Sequence, residues 1–285
     1  MTFDGPLIDA HTHIIPDNFA HEWDGLTGPD GTEMVAWMDA HGIDRAVVLP
    51  LESPEGLDRY VLTRWVLEEA AEHPERLIPF CVIDPRVSAE EETREAMIRT
   101  YIEHGARGFG EVKAGVPVDH DGLRVLYRIC EAEDLPVLLH IDHLRCTDDV
   151  GLPKLERMLA SYPDLTFIAH APGWWAHVSS DVDGMNGYPD GAVEPGGRCD
   201  ELLAEYDNLY ADLSAGSGYN AITRDPEYGQ AFLERHHEKL LWATDYPAFT
   251  TDWLEERHFA LFDRFDLTDD QWADIRYRNV ERILE

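Results

Sequence analysis

The chain has 285 residues, of which 44% are hydrophobic and 10% aromatic, a composition that excludes a disordered chain and is typical of a globular protein. Acidic residues outnumber basic ones 57 to 23, giving a formal net charge of −34. This charge argues against nucleic acid or an anionic membrane as a partner, because both require a basic surface. No stretch approaches the roughly 18 apolar residues that a membrane-spanning helix needs.

The acidic residues are spread along the whole chain, and only three basic residues are lysines. The excess of acid is typical either of an acidic partner surface or of adaptation to concentrated salt, in which screening makes the self-repulsion tolerable. The even spread favours the second interpretation and predicts a halophilic source.

The N-terminus contains Asp4 and Asp9 and no basic segment, so it does not resemble a signal peptide. Four cysteines are scattered without a C-x-x-C pair, namely Cys81, Cys130, Cys146 and Cys199. We therefore expect reduced thiols in a cytoplasmic protein.

Short apolar runs alternate with helical patterns from one end of the chain to the other. A first strand begins at residue 7, and further strands are predicted at residues 46–50, 78–83, 106–112, 136–140, 165–170, 209–213 and 240–245. Helices are predicted at residues 33–38, 58–71, 90–103, 123–133, 152–162 and 268–284, the last opening with the capping signature Thr268-Asp269-Asp270-Gln271.

Strands that alternate with helices imply a parallel sheet with right-handed crossovers. Eight strands at this length match a single (β/α)8 TIM barrel that spans residues 1–285 as one domain, with a C-terminal closing helix. The longest irregular stretch, residues 172–197, follows strand 6. A loop of this length is more often functional than idle and would lie above the barrel mouth, and the alternative is a disordered insertion.

Polar side chains follow the apolar runs at several strand ends. His11 and His13 point the same way because strand side chains alternate, so they are able to bind one metal ion, although a surface His-x-His without metal is also common. Later strands end on Glu111, Lys113, His140, His170 and Asp245. Because the carboxyl ends of barrel strands converge on the active site, these residues together predict a metal centre.

Five strand-end segments carry a family resemblance: Asp9-Ala10-His11-Thr12-His13, Gly110-Glu111-Val112, Leu138-Leu139-His140, Phe167-Ile168-Ala169-His170 and Ala243-Thr244-Asp245-Tyr246-Pro247. In this order they resemble the amidohydrolase superfamily. Within it the chain is most similar to the amidohydrolase 2 branch, which includes aminocarboxymuconate-semialdehyde decarboxylase-like enzymes and lactonases. The resemblance implies one or two divalent metal ions bound by His11, His13, Glu111, His140, His170 and Asp245.

Strand 4 departs from the pattern of the decarboxylases, which generally hold one metal without a strand-4 ligand and leave the strand-6 histidine free for catalysis. Glu111 resembles the strand-end glutamate of TatD-like hydrolases, where a carboxylate bridges two metals. Lys113 is interpreted as a carbamylated bridging lysine, as a cation that binds a substrate carboxylate, or as a partner in a plain salt bridge. The sequence leaves open whether one metal or two are bound. It also leaves open whether Glu111 or Lys113 is the strand-4 ligand.

The expected chemistry is hydrolysis of a small-molecule amide, ester or lactone by a metal-activated water. Asp245 would move the water's proton, and His170 would either bind a second metal or donate to the oxyanion. Zinc suits these ligands best, with manganese or iron as alternatives. The main alternative function is a metal-dependent non-oxidative decarboxylase of a small carboxylic acid.

Three other functions are less favoured. A TatD-like nuclease lacks a basic surface, and a metal-storage protein would have a closed ligand shell. A serine hydrolase is disfavoured because Gly216-Ser217-Gly218 is not a G-x-S-x-G nucleophile elbow.

Several residues outside the ligand set are given supporting roles. Asp142 and Asp212 are expected to orient ligand histidines through their carboxylates. A small-molecule pocket is expected to be lined by Lys113, Arg145, Trp174, Trp175 and His177. A homo-oligomer is compatible with the family, and nothing in the chain decides its assembly.

Overall fold

The computed structural model describes residues 5–15, 28–185 and 187–285, so Asp4 lies outside the described residues. Parallel pairing joins the strands into a three-stranded and a five-stranded sheet in chain order. The strands are β1 Ile8–Thr12, β2 Arg45–Val48, β3 Leu77–Pro79, β4 Phe109–Val112, β5 Val137–His140, β6 Phe167–His170, β7 Leu209–Asp212 and β8 Leu240–Leu241.

Backbone hydrogen bonds join the two sheets at both seams. Beyond β3, Cys81 N donates to Gly108 O at 2.9 Å, and between β1 and β8 Ala10 N donates to Trp242 O at 3.1 Å. The eight strands therefore form a closed ring, and the predicted (β/α)8 barrel is confirmed.

Helices follow the strands around the ring. They are α1 Gly31–His41, α2 Thr63–Glu72, α3 Glu91–Glu103, α4 Asp121–Ala132, α5 Pro153–Ser161, α6 Pro172–Trp175, α7 Arg198–Glu205, α8 Ala215–Thr223, α9 Pro226–His236, α10 Thr251–Leu254, α11 Leu261–Arg264, α12 Asp269–Ala273 and α13 Asn279–Leu284. Short 3-10 turns lie at Pro54–Arg59, Ala176–Val178 and His237–Lys239, and π-helical turns at Glu255–Phe259 and Asp274–Arg278.

The ends and faces of these helices follow from the local sequence. A capping box between Asp30 and Glu33 starts α1, and Gly42, with a φ of 68°, ends it in the left-handed conformation that glycine adopts without strain. Helix α4 buries one apolar stripe at helical spacing, formed by Leu123, Leu126, Tyr127, Ile129 and Cys130. The predicted closing helix is confirmed from its Thr268 capping box through α12 and α13.

Two predicted segments differ in detail. The helix predicted from residue 58 begins at Thr63, because Leu51 and Val61 pair as an antiparallel bridge and hold the intervening chain in a separate turn. The irregular stretch predicted at 172–197 opens with helix α6 and the turn Ala176–Val178. None of the described helices is long and apolar enough to cross a membrane.

Alternate strand residues fill the inside of the barrel. One buried cluster takes Ile8 and Ala10 from β1 and corresponding residues from most other strands, such as Leu138 and Ile168. Pairing is irregular between Asp9 and Thr12 on β1, and again between Phe109 and Val112 on β4. Such irregularities re-aim side chains at barrel rims, and here they span the candidate ligands His11 and Glu111.

Candidate metal centre

Four donor atoms from β1, β4 and the end of β8 meet inside the barrel mouth. Nε2 of His11 and Nε2 of His13 lie 3.3 Å apart. Oε2 of Glu111 lies 3.6 and 3.5 Å from these two nitrogens, and Oδ1 of Asp245 lies 3.7 and 3.3 Å from them. Ligands of a tetrahedral ion with bonds of 2.0–2.1 Å lie about 3.4 Å apart, and these five separations within the four-donor group are close to that value. His11, His13 and Glu111 form one group of buried residues able to hold a metal ion, and His11, His170 and Asp245 form another.

Hydrogen bonds on the far side of each imidazole fix the two β1 histidines. His13 Nδ1 lies 2.8 Å from Leu49 O, and His11 Nδ1 lies 2.9 Å from Oδ2 of Asp212. A carbonyl or carboxylate oxygen accepts a hydrogen bond, so both rings carry a hydrogen on Nδ1, and in the neutral state of each ring the Nε2 lone pair faces the four-donor group.

The other carboxylate oxygen of Glu111 faces a second set of donors. Oε1 lies 2.6 Å from Nδ1 of His140 and 3.8 Å from Nε2 of His170. Glu111, His140 and His170 thus form a second group of buried residues able to hold a metal ion. Glu111 therefore stands between two donor groups, one at each of its oxygens.

Asp142 and Asp212, named from the sequence as orienting carboxylates, both contact candidate ligand histidines. Asp142 Oδ2 lies 3.0 Å from Nε2 of His140. Asp212 reaches two rings at once, because its Oδ1 lies 2.9 Å from Nδ1 of His170 while its Oδ2 holds His11. Each carboxylate thus restricts the orientation of an imidazole that faces Glu111.

Ser214 is a site residue that sequence reasoning missed. Its hydroxyl donates to Asp212 Oδ1 at 2.5 Å and lies 3.0 Å from His170 Nδ1. Its backbone N–H donates to the same Asp212 oxygen at 3.1 Å. The available signal was its position two residues after Asp212, at the turn into α8.

Burial and neighbouring charges set the protonation of the site. Burial alone would raise the pKa of Glu111, but Lys113 and His11 outweigh it and hold that pKa well below its ordinary value. In the same way His13 and His11 hold the pKa of Asp245 low against the effect of burial. Both carboxylates are therefore ionised at neutral pH and able to bind a cation.

The histidines of the site differ in the direction of their pKa shifts. Burial lowers the pKa of His13 and of His170, which keeps both rings neutral. Burial acts in the same direction on His11, but Asp212 and Glu111 raise its pKa well above the ordinary value. A proton on His11 would be displaced by a bound cation, since metal ligation requires the neutral ring.

One buried atom of the site lacks a well-aligned partner. Oε2 of Glu111 accepts no hydrogen bond of good geometry from the described residues, although Lys113 Nζ lies 2.9 Å away. Lys113 supplies one positive charge beside this oxygen, and a metal ion in the four-donor group would give it the aligned partner that it lacks. Two imidazole nitrogens and two carboxylate oxygens are also a donor set that zinc accepts, so the residues present fit a metal ion.

The two cations that were expected to bind substrate both have partners in the structure. Lys113 pairs with Glu111, as the plain salt-bridge interpretation predicted. Arg145 donates to Asp142 Oδ2 at 3.0 Å and to Glu55 O at 3.2 Å. Both side chains line the cavity at the barrel mouth, but each charge is already balanced from within the protein.

This cavity has a volume of about 460 Å³ and lies directly beside the two donor groups. Its ionisable lining consists of Lys113, His140, Asp142, His143, Arg145, His170 and Asp245. Its apolar lining includes Leu51, Pro172, Tyr188, Ala215, Ala248 and Phe249. Tyr188 and Pro172 come from the stretch after β6, which was predicted to lie above the mouth.

The tryptophans and the histidine of that stretch lie elsewhere. Trp174, Trp175 and His177 are buried and are not among the described residues that line the cavity, contrary to the expectation from the sequence. Trp175 Nε1 donates to Asp212 O at 3.0 Å, and His177 uses both ring nitrogens on the backbones of Gly173 and Gly151. Because α6 folds against the barrel, these three rings pack against the barrel and do not line the cavity.

Comparison with known proteins decides the family. The Amidohydro_2 family model, described as Amidohydrolase, matches residues 8–285. The chain belongs to this family. The expected membership of the amidohydrolase 2 branch is thereby confirmed, and with it an enzyme family whose members bind divalent metals and act on small molecules.

Solved structures with the same fold are distant in sequence. An uncharacterised TIM-barrel protein from Bordetella bronchiseptica is 19% identical with a TM-score of 0.68, covering 98% of each chain. A probable 2-pyrone-4,6-dicarboxylic acid hydrolase from Acinetobacter baumannii, solved with citric acid bound, is 15% identical with a TM-score of 0.67, covering 98% of this chain and 99% of the other.

A third structure belongs to a decarboxylase. The D314N mutant of a 5-carboxyvanillate decarboxylase from Novosphingobium aromaticivorans, solved with bound manganese, is 15% identical with a TM-score of 0.62, covering 99% of this chain and 97% of the other. At these identities the likeness establishes the fold alone. No match was found among curated proteins.

Proposed function

We propose that this chain is a metal-dependent hydrolase that directs water at a small-molecule amide, ester or lactone. The observation that carries the proposal is the four-donor group, in which two imidazole nitrogens lie 3.3 Å apart and 3.3–3.7 Å from two carboxylate oxygens. It adjoins a cavity of about 460 Å³, within the size range of sites that enclose small molecules.

Zinc is the proposed ion. Adjacent ligands of an octahedral ion with bonds near 2.1 Å lie about 3.0 Å apart, which is shorter than the separations in the four-donor group. The two oxygens of Glu111 face different donor groups, which supports a second ion held by Glu111, His140 and His170.

A divalent cation in this centre supplies Lewis acidity, which lowers the pKa of water and polarises a carbonyl group. Asp245, ionised and lining the cavity, accepts the proton of the attacking water and returns it to the leaving group. His170 donates its Nδ1 hydrogen to Asp212, so its Nε2 presents a lone pair to the cavity. This supports His170 as a ligand over His170 as an oxyanion donor.

Non-oxidative decarboxylation of a small carboxylic acid is the second candidate. The manganese-containing decarboxylase of the same fold favours it. Hydrolysis is preferred because Asp245 lines the cavity while its Oδ1 lies 3.3 Å from Nε2 of His13, so one carboxylate borders both the four-donor group and the space open to water.

Product analysis distinguishes the two reactions. The protein is incubated in ¹⁸O-enriched water with panels of small lactones, esters, amides and aromatic carboxylic acids. Hydrolysis predicts one ¹⁸O atom in the product acid and no carbon dioxide, whereas decarboxylation predicts carbon dioxide without ¹⁸O in the organic product. Asp245→Asn should reduce the rate by at least about a hundredfold. The control Asp149→Asn changes an exposed carboxylate whose side-chain partner among the described residues is Lys154, and it should leave the rate unchanged.

The proposal includes the salt conditions and the cellular compartment in which the protein works. The surface is that of a halophilic protein, which the net charge of −34 supports. A cytoplasmic location is supported by the four cysteines, which are all buried and unpaired, as expected in a reducing compartment.

A further inference from the structure

We propose that the first turn of helix α8, Ala215–Thr223, is a subsite for a carboxylate group of the substrate that stays unchanged in the reaction. The inference rests on the proposed function for the reacting end of the substrate. It adds a substrate class, namely small carboxylic acids whose second functional group is the one that reacts.

The usual cap of this helix is missing. A serine at the N-cap normally accepts a hydrogen bond from the backbone N–H two or three residues later. Ser214 occupies the N-cap of α8 but accepts no such bond. Its hydroxyl is turned towards the metal centre, where it donates to Asp212 and contacts His170. The serine hydroxyl that would cap the helix therefore bonds to Asp212 instead.

The first backbone N–H groups of α8 are consequently open. Within the described part of the chain, the N–H groups of Gly216 and Ser217 have no hydrogen-bond acceptor, and Ala215 N reaches Thr244 O only at 3.4 Å. Unpaired N–H groups at a helix N-terminus carry partial positive charge and bind anions. Ala215 and Ser217 both line the cavity, so this positive end faces the space beside Asp245.

The side chain of Ser217 supplies an independent observation. Ser217 is only 3% exposed, and its Oγ has no hydrogen-bond partner among the described residues. A buried hydroxyl without a partner is destabilising, so a ligand oxygen in the cavity would satisfy it. The hydroxyl and the two N–H groups together offer three donors on one turn of helix.

A carboxylate fits these donors better than other anions. The rival cations Lys113 and Arg145 are already paired with Glu111 and Asp142, so the uncapped turn is where anion-binding capacity remains. Asp142 and Asp245 also line the cavity. A phosphate dianion would be repelled by them more strongly than a singly charged carboxylate.

Calorimetric titration of the metal-loaded protein with succinate, succinamide and inorganic phosphate tests the subsite. We expect succinate to bind and succinamide, its uncharged analogue, not to bind. Ser217→Ala should weaken succinate binding by about tenfold, the value of a hydrogen bond to a charged group. Ser217→Asp should abolish binding through like-charge repulsion. Ser179→Ala removes a buried hydroxyl bonded to Asp181 and Glu194 N, away from the cavity lining, and should bind as wild type.

Three results would overturn the subsite: no succinate binding by wild type, an unchanged affinity in Ser217→Ala, or phosphate binding tighter than succinate. Metal content measured on the same samples separates this inference from the proposed function. Binding that depends on Ser217 in a protein unable to hold metal would sustain the subsite and refute the hydrolase. Metal retained with binding independent of Ser217 would refute only the subsite.

Discussion

Oδ2 of Asp212, at the end of β7, lies 2.9 Å from Nδ1 of His11 on β1, although 201 positions separate the two residues in the sequence. Closure of the barrel brings them together. Because Asp212 also holds His170 with its other oxygen, one carboxylate fixes a ring from each of the two donor groups.

Replacing Asp212 by Asn should weaken metal binding by changing which ring nitrogen of His11 carries the hydrogen. Oδ1 of Asp212 already faces the N–H and hydroxyl of Ser214 and Nδ1 of His170, so the amide NH₂ should take the side of His11. An NH₂ group there requires Nδ1 of His11 to accept, which moves the ring hydrogen to Nε2 and removes the metal-binding lone pair. We expect a 10- to 100-fold loss of affinity, as is typical when such a partner is changed.

Competition with a chromogenic chelator measures that affinity, and ¹⁵N NMR of labelled histidine reports the tautomer. Asp148→Asn is a matched control, because Asp148 is a buried carboxylate that accepts from Lys154 N and Leu155 N and forms no hydrogen bond with a histidine among the described residues. It should lower the melting temperature and leave metal affinity intact. Equal affinity in Asp212→Asn and wild type would refute the positioning role.

The melting temperature should rise with potassium chloride concentration. A net charge of −34 destabilises the compact state by self-repulsion, and molar salt shortens the screening length to about 3 Å. Differential scanning calorimetry in dilute and molar KCl measures the effect, and sucrose, which does not screen charge, is the control. Equal melting temperatures in dilute and molar salt would contradict halophilic adaptation.

Low pH should destabilise the folded protein because His258 is buried there in its neutral form. Burial lowers the pKa of His258 from 6.5 to about 4, and its ring contacts Leu213 O. As the pH falls below 6.5 the unfolded chain takes up this proton before the folded protein does. Stability is therefore lost between pH 6.5 and about 4, by roughly 2–3 kcal/mol from this residue.

His258→Gln isolates this contribution, since glutamine keeps a donor for the carbonyl and does not titrate. Urea unfolding at pH 7.5 and pH 4.5 should show a smaller loss of unfolding free energy in the variant than in wild type. Identical losses would mean that His258 does not carry the acid sensitivity.

The barrel and the candidate ligands at the strand ends could be predicted because both depend on local sequence patterns. His140, His170 and Asp245 each follow an apolar run, and the carboxyl ends of barrel strands always converge. Strict alternation from Ile8 and Ala10, however, would turn His11 away from the barrel interior, and the irregular pairing between Asp9 and Thr12 allows it to face Glu111 and Asp212. A bulge depends on pairing with the neighbouring strand, which a single sequence does not reveal.

Residues whose role depends on distant partners escaped prediction. Ser214 and Ser217 look like ordinary helix-start residues in the sequence. In the structure the hydroxyl of Ser214 donates to Asp212, and the buried hydroxyl of Ser217 lacks a partner among the described residues at the cavity lining. Trp174 and His177 were misplaced for the opposite reason. The glycines and aromatic residues of this stretch suggested a loop that lines the pocket. Helix α6 instead directs Trp174 and His177 into the protein interior, and such burial depends on tertiary packing that the sequence does not show.

Metal content after dialysis against chelator-treated buffer tests the central claim most directly. We predict two equivalents of divalent metal in wild type, and fewer in both Glu111→Gln and Asp245→Asn. His140→Gln should retain one equivalent, because it removes a donor from the second group only. A folded wild-type protein that retains no metal under these conditions would contradict the account.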